Sequence, residues 1–170
     1  MFWQHKGQDP WNWYNMDNMD DIGKVGRSSG EQDLSGLVRI MPVDTPRPDD
    51  MRALYAAGGW LEDDWDDEFL SSIVTSSFAF VAAQTPDGRW VGMGRLISDG
   101  VSDAYLQDIA VLPAWEGQSI GSAIVSMLVE ICKNCGISWI GTIAGPQTEY
   151  FYRKFGFSRM NGYTPMRYER

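Results

Sequence analysis

The sequence predicts an α/β chain in which a mixed sheet carries helices on its faces. Three observations predict it. From Leu37 onward, strand-like and helix-like patterns follow in the order β-α-α-β-β-β-α-β-α-β-β. One long stretch, Gln118 to Asn134, sets Ile120, Ala123, Ile124, Met127, Leu128 and Ile131 on a single helical stripe. Turn formers, Pro86-Asp87-Gly88 and Asp99-Gly100, fall between the strand patterns.

Leu37-Val38-Arg39-Ile40 alternates as a first strand. Arg47-Pro48-Asp49-Asp50 opens a helix that runs through Tyr55 to Gly58-Gly59, and a second helix follows from Asp64 to Ser72. Phe78 to Ala83 and Trp90 to Ile97 form a hairpin, and a long strand runs from Ala104 to Val111. Gly136 ends the long helix, Ile137 to Ile143 reads as a buried strand, and Thr148 to Phe155 as a short helix stopped by Gly156. Phe157 to Met160 and Pro165 to Tyr168 read as closing strands. Residues 1–36 show neither period and form an N-terminal extension, a mobile or docking arm rich in Trp3, Trp11, Trp13 and Tyr14. Residues 37–170 form a single domain.

Composition excludes several function classes. Fourteen Lys and Arg against 23 Asp and Glu give a net charge of −9 in 170 residues, a field that repels nucleic-acid phosphates. Stretches long and apolar enough to span a membrane are lacking, and Met1 to Tyr14 lacks the basic-then-apolar pattern of a secretory signal, so a cytoplasmic location is expected. His5 is the one histidine, which leaves the main body without Ser-His-Asp, Cys-His or multi-His metal sites. Cys132 and Cys135 close a helix just before Gly136, where the macrodipole disfavours a thiolate; they are read as structural filler, and no metal is expected.

The chemistry is concentrated in two stretches. In the first, a strand ends at Val111-Leu112-Pro113, and a loop with Gly117 feeds the amphipathic helix at Gln118 to Gly121. Unpaired amides and the positive helix end converge there, as in an anion site, although an ordinary helix start has the same pattern. In the second, Glu149 to Phe157, a short helix presents Tyr150, Tyr152 and Arg153 and breaks at Gly156, while Phe151, Phe155 and Phe157 read as core.

Together these stretches resemble the GNAT superfamily of N-acetyltransferases. The first matches its V-x-P turn and Q/R-x-x-G-x-G/A phosphate loop as Val111-Leu112-Pro113 and Glu116-Gly117-Gln118-Ser119-Ile120-Gly121; the second matches its F-Y-x-K-x-G-F element as Phe151 to Phe157. The resemblance covers about residues 37 to 168. It implies a mixed, mostly antiparallel twisted sheet splayed at its middle, with helices on both faces, and acetyl-CoA as co-substrate. The coenzyme's diphosphate would be held around Glu116, Gly117, Gln118, Ser119, Gly121 and Ser122. Its pantetheine arm would pair with the backbone of Ile109, Ala110 and Val111, and an amide near Ile109 or Ala110 would polarise the acetyl carbonyl. Tyr152 would protonate or hydrogen-bond the departing thiolate, since a phenol keeps its proton at neutral pH. Two departures, Glu116 for Gln or Arg and Ser119 for the first of the paired glycines, imply weakened rather than abolished coenzyme binding.

The catalytic base is left open. Gln107 holds the strand position of a glutamate in polyamine-acetylating members and can orient a water. Asp108 follows it, with strand alternation aiming it at the opposite face; Glu149 and a water chain are further candidates. For the acceptor, Tyr55, Trp60 and Trp65 border the expected cleft beside six carboxylates in Glu62 to Glu68. These carboxylates either attract a cationic amine or are a solvated helix start. The expected partners are a small-molecule amine or a peptide, cationic ones included, with neither nucleic acid nor membrane, and a homodimer is one assembly the arm allows. The alternative is a catalytically degenerate GNAT-fold binding or regulatory module that associates through its Trp-rich arm.

Overall fold

The computed structural model describes residues 38–169; the expected N-terminal arm, and Leu37 at the start of the first strand, lie outside them. The sheet follows simple chain order: β1 (Arg39–Pro42), β2 (Ala79–Gln84), β3 (Trp90–Ser98), β4 (Asp103–Val111) and β5 (Trp139–Thr142). The first three pairings are antiparallel, and the β4–β5 pairing is parallel. Helices α1 (Pro48–Ala57) and α2 (Asp67–Ser76) connect β1 to β2, α3 (Ile120–Asn134) connects β4 to β5, and α4 (Glu149–Arg153) follows β5. Among the described residues, no helix is long and apolar enough to cross a membrane.

Alternation along β2 divides two cores. Ala79, Val81 and Ala83 face α3 with Ile124, Leu128 and Ile131. Phe80 and Ala82 face α1 and α2 with Met51, Leu54, Tyr55 and Leu70. Burial on both sides is why β2 reads as a continuous apolar run. Gly92 and Gly94 bring α3 close to the sheet. A Cβ at Gly94 would lie 2.6 Å from Ile109 Cδ1 and 2.7 Å from Ile124 Cγ2. The α3 stripe is buried as the sequence implies, with Ile120, Ile124, Met127, Leu128 and Ile131 all buried.

Two features place the site. The β4–β5 pairing ends at Leu106↔Thr142, while β4 continues to Val111 along β3 alone, so the sheet splays there. In addition, β4 bulges. Met93 pairs with Ala110 and Arg95 with Gln107, which leaves Gly94 opposite both Asp108 and Ile109. Asp108 takes a positive φ of 56°, a region that Asp tolerates better than most residues.

The two closing strands do not form, which corrects that expectation. Residues 157–169 carry no regular secondary structure. Gly162 turns the chain with a φ of 84°, Pro165 brings no N–H to a ladder, and Met160, Tyr163, Met166 and Tyr168 stay exposed. Phe157 alone of the first expected strand packs on the core, and the exposed apolar residues after it have no face to cover. The second helix begins at Asp67 rather than Asp64, because Asp66 is its cap, its carboxylate accepting from Phe69 N at 2.7 Å.

Candidate functional site

The site has two halves joined by β4. In the first, β4 leads through a 3₁₀ turn, Pro113–Trp115, into the loop before α3. Gly117 has a φ of 76° and Ser119 a φ of 63°. This pair of left-handed residues reverses the chain so that α3 starts abruptly. Ser119 sits in the N-cap position without a side-chain capping bond. The amides of the first turn therefore have no intrahelical acceptor and point along the positive end of a long helix. Gln118 folds back, its Nε2 3.4 Å from Ala114 O. Glu116 is exposed. A Cβ on Gly121 would meet Phe151 and Val111 no closer than 3.6 Å, so packing within the chain does not demand glycine there.

Tyr152 packs edge-on against Phe151 and Phe157, with ring centroids 5.0 and 5.9 Å away. Burial pushes its phenol above the ordinary tyrosine range, and the Thr142 hydroxyl beside it works the other way. Thr142 is the last residue of β5, and its Oγ1 donates to Leu106 O at 3.2 Å. Tyr152 thus stands at the point where β4 and β5 part. The stretch Ile109, Ala110 and Val111 has β3 on one edge and, among the described residues, no strand on the other.

The second half lies on the α1 face. Tyr55 Oη donates to Asp108 Oδ2 at 2.7 Å, and Arg95 Nε donates to the same oxygen at 2.5 Å. Arg95 also donates through its terminal nitrogen to Gln107 Oε1 at 3.2 Å. Gln107 and Asp108 therefore reach one guanidinium from the same side. This corrects the expectation that alternation separates them: the bulge consumes one residue, and Leu106 and Ile109, three apart, both face α3. Arg95 and Asp108 are about four-fifths buried, at 19% and 20% side-chain exposure. Tyr55 is buried, and that burial, reinforced by Asp108, raises its phenol well beyond the usual range. Its hydroxyl is a fixed donor rather than an acid.

Around Tyr55 the aromatic rings are edge-on, Trp60 at 6.3 Å and Trp65 at 5.2 Å, and Phe69 lies 4.7 Å beyond Trp65. The acidic run divides by task. Asp66 caps α2, and Asp67 pairs with Arg52 at 2.8 Å. Glu62, Asp63, Asp64 and Glu68 are exposed. The structure thus groups Tyr55, Trp60, Trp65, Gln107 and Asp108 on one face, and residues 116–122 with Tyr152 around the splay. Glu149 joins neither group. It is held by Arg153 and Arg159, which keep its carboxyl below the usual range. Burial pushes Cys132 up to about 11 and raises Cys135 as well, consistent with unreactive thiols. Sequence reasoning missed two residues, Arg95 and Lys154. Arg95 was visible only as part of a hairpin, and its register opposite Gln107 gives it its partners. Lys154 Nζ lies 2.6 Å from Ser122 Oγ, across 32 positions of chain.

Comparison with known proteins bears on the family and the fold. The profile of the Acetyltransferase (GNAT) family matches residues 34–157. An Arabidopsis thaliana protein, GCN5-related N-acetyltransferase 2, chloroplastic, is 30% identical over 76% of this chain and 52% of its own length. Serotonin N-acetyltransferase 2, chloroplastic, from Oryza sativa is 35% identical over 45% of this chain and 38% of its own. The chain thus spans about half the length of these curated relatives, or less. Among solved structures, a protein of unknown function from meticillin-resistant Staphylococcus aureus, described as a probable acetyltransferase, superposes with a TM-score of 0.68. It is 27% identical, over 79% of this chain and 99% of that one.

Proposed function

The chain belongs to the GNAT acetyltransferase family, and from that premise we propose that it moves an acetyl group from acetyl-CoA to a primary amine by direct attack. One observation carries the reading: a single strand, β4, holds a polar cluster at its bulge and, among the described residues, an edge without a strand partner beyond it, and it leads into a helix start whose first amides have no intrahelical acceptor. The donor set fits the coenzyme, whose diphosphate needs amide donors and whose amide-bearing arm needs a strand edge. When bound, acetyl-CoA supplies the acyl group as an activated thioester.

The chain's own residues divide the remaining work. Amides of residues 117–122 hold the coenzyme, and the backbone of Ile109 to Val111 orients it. A backbone N–H near Ile109 or Ala110 stabilises negative charge on the acyl oxygen. Tyr152, kept protonated by burial, holds a proton on Oη for the leaving group. Both donors to Asp108 use Oδ2, which leaves Oδ1 to accept from the incoming amine, with Gln107 orienting water beside it. Trp60 and Trp65 line the acceptor's path. Because the Arg95–Asp108 pair is balanced in charge, the cluster suits a single amino group on an otherwise neutral body. Because the rice relative is named a serotonin N-acetyltransferase, serotonin is the first amine to try; polyamines and amino-terminal peptides follow. A cytoplasmic location belongs to the same proposal.

The test is release of free thiol from acetyl-CoA in the presence of a panel of primary amines, with acetylated product identified by mass. Turnover with one amine class supports the reading. Absence of product across the panel, from protein that binds acetyl-CoA, favours the binding-module alternative. The specific observation on that side is the left-handed backbone of Ser119, which strains the loop that a coenzyme would use.

A further inference from the structure

Beyond the polar cluster of Arg95, Gln107 and Asp108, the sheet carries an apolar row that neither core absorbs. Ile97 pairs with Tyr105, and Tyr105 with Gly141. Leu96, Leu106 and Ile140 pack with α3, so by alternation Ile97, Tyr105 and Gly141 look to the opposite face. Arg95 and Gln107 share that face, one strand repeat of about 7 Å from the row. Helices α1 and α2 cover Trp90, Met93 and Ala110 there but stop short of the row, where Ile97 is 46% and Trp139 45% exposed. The row is built to hold its rings flat. A Cβ on Gly141 would lie 2.6 Å from Trp139 Cη2 and 3.2 Å from Tyr105 Cε2, so a larger residue would drive the indole off the sheet. The Trp139 and Tyr105 ring centres are 6.4 Å apart with 31° between their planes, and neither ring turns its edge to the other. Polar groups bound the row at both ends, Arg95 and Gln107 at one and Asp103, opposite Trp139, at the other. An exposed apolar patch with a polar rim is the anatomy of a ligand surface.

We infer that Ile97, Tyr105 and Trp139 form the subsite for the acceptor's body, and that the body they select is a planar aromatic ring joined to the primary amine by a short alkyl linker. The inference rests on the acetyl-transfer reading above and deepens it. Continuity with the polar cluster names the occupant: an amine held at Asp108 and Gln107 reaches the row through a linker spanning about 7 Å. The cluster recognises only the amino group; the row supplies the discrimination. Two ring faces laid side by side favour a planar π-system over an aliphatic body of similar size, because stacking adds to the apolar area buried.

Three amines test it: phenylethylamine, cyclohexylethylamine, which is as apolar but not planar, and propylamine, which lacks the ring. Acetylation by the full chain gives KM for each, and calorimetric titration of the chain loaded with CoA gives Kd without turnover. Wild type is expected to favour phenylethylamine over propylamine by about tenfold and over cyclohexylethylamine by about threefold. Trp139→Leu is expected to bring phenylethylamine level with cyclohexylethylamine, Trp139→Phe to keep the preference, and Ile97→Thr, which stays β-branched at an exposed strand position, to weaken phenylethylamine by about threefold. A wild-type chain indifferent among the three amines, or a preference that survives Trp139→Leu, overturns the inference and leaves acetyl transfer standing. Loss of the preference in both Trp139 variants, with both melting well below wild type, marks a packing role and overturns it. A fall in particle mass on Trp139→Leu marks a second copy as the occupant. Phenylethylamine binding that tightens in a chain with Trp11→Ser and Trp13→Ser marks the N-terminal residues as the occupant; either result overturns the inference. Ring-selective binding that Trp139→Leu abolishes, without acetylated product from any amine, supports the subsite and overturns the acetyl-transfer reading. Neither binding nor product overturns both.

Discussion

The two halves of the site differ in what they leave unsatisfied. On the α1 face, Tyr55, Arg95, Gln107 and Asp108 answer one another: two donors on one carboxylate oxygen, one guanidinium across two side chains, and charges that cancel. At the start of α3 the balance is one-sided. Amides without intrahelical acceptors and a lysine that, among the described residues, has no carboxylate partner both present positive charge. A closed network holds its geometry before any ligand arrives; an excess of one sign waits for the opposite sign. The contrast predicts that damage on the α1 face shows in stability, and damage to the loop at the start of α3 in ligand affinity.

The largest effect expected is from Asp108→Ala. It strips Arg95 and Tyr55 of their shared acceptor and leaves a mostly buried guanidinium unpaired, at a cost of about 3 kcal/mol, read by chemical denaturation. Loss well below 1 kcal/mol would mean that the network is no more than a surface ion pair. Next, Tyr152→Phe is expected to lower kcat about a hundredfold while acetyl-CoA affinity holds. Because burial raises the Tyr152 pKa, its protonated form persists through neutral pH and is lost only as pH rises past the ordinary tyrosine value of about 10. Loss of activity through deprotonation of Tyr152 is therefore expected only above that value. A fall centred near neutrality that vanishes in Tyr152→Phe would contradict the burial argument. Gly94→Ala comes third. Its Cβ meets Ile109 and Ile124 inside contact distance and should cost about 2 kcal/mol by overpacking. That would loosen the α3 packing on which both halves depend. The smallest change runs the other way: Ser119→Gly relieves a left-handed backbone and should add about 1 kcal/mol to thermal stability.

Most of the scaffold was legible in the residues. The α3 stripe, the Pro86-Asp87-Gly88 hairpin and the proline-led α1 report local preferences that tertiary packing then confirms. The loop at 116–122 was legible because a helix start after a strand has few alternatives. The bulge was not. One inserted residue shifts the phase of β4, and nothing in the string Tyr105 to Val111 marks where the shift falls. It appears only in the opposing register, where Gly94 faces two residues. Arg95 was hidden for the same reason, since its partners follow from pairing with Gln107. The closing strands were misread because Met160, Met166 and Tyr168 look like core in sequence and are exposed in space.

The most direct test of the account is titration of the unmodified chain with acetyl-CoA, followed by heat, at low and moderate salt. The account predicts saturable one-to-one binding in the micromolar range that weakens as salt rises, because the contacts of the α3 start are charged. Heat changes indistinguishable from buffer up to millimolar acetyl-CoA would contradict it, and the open edge of β4 with its donor-rich loop would then need another occupant.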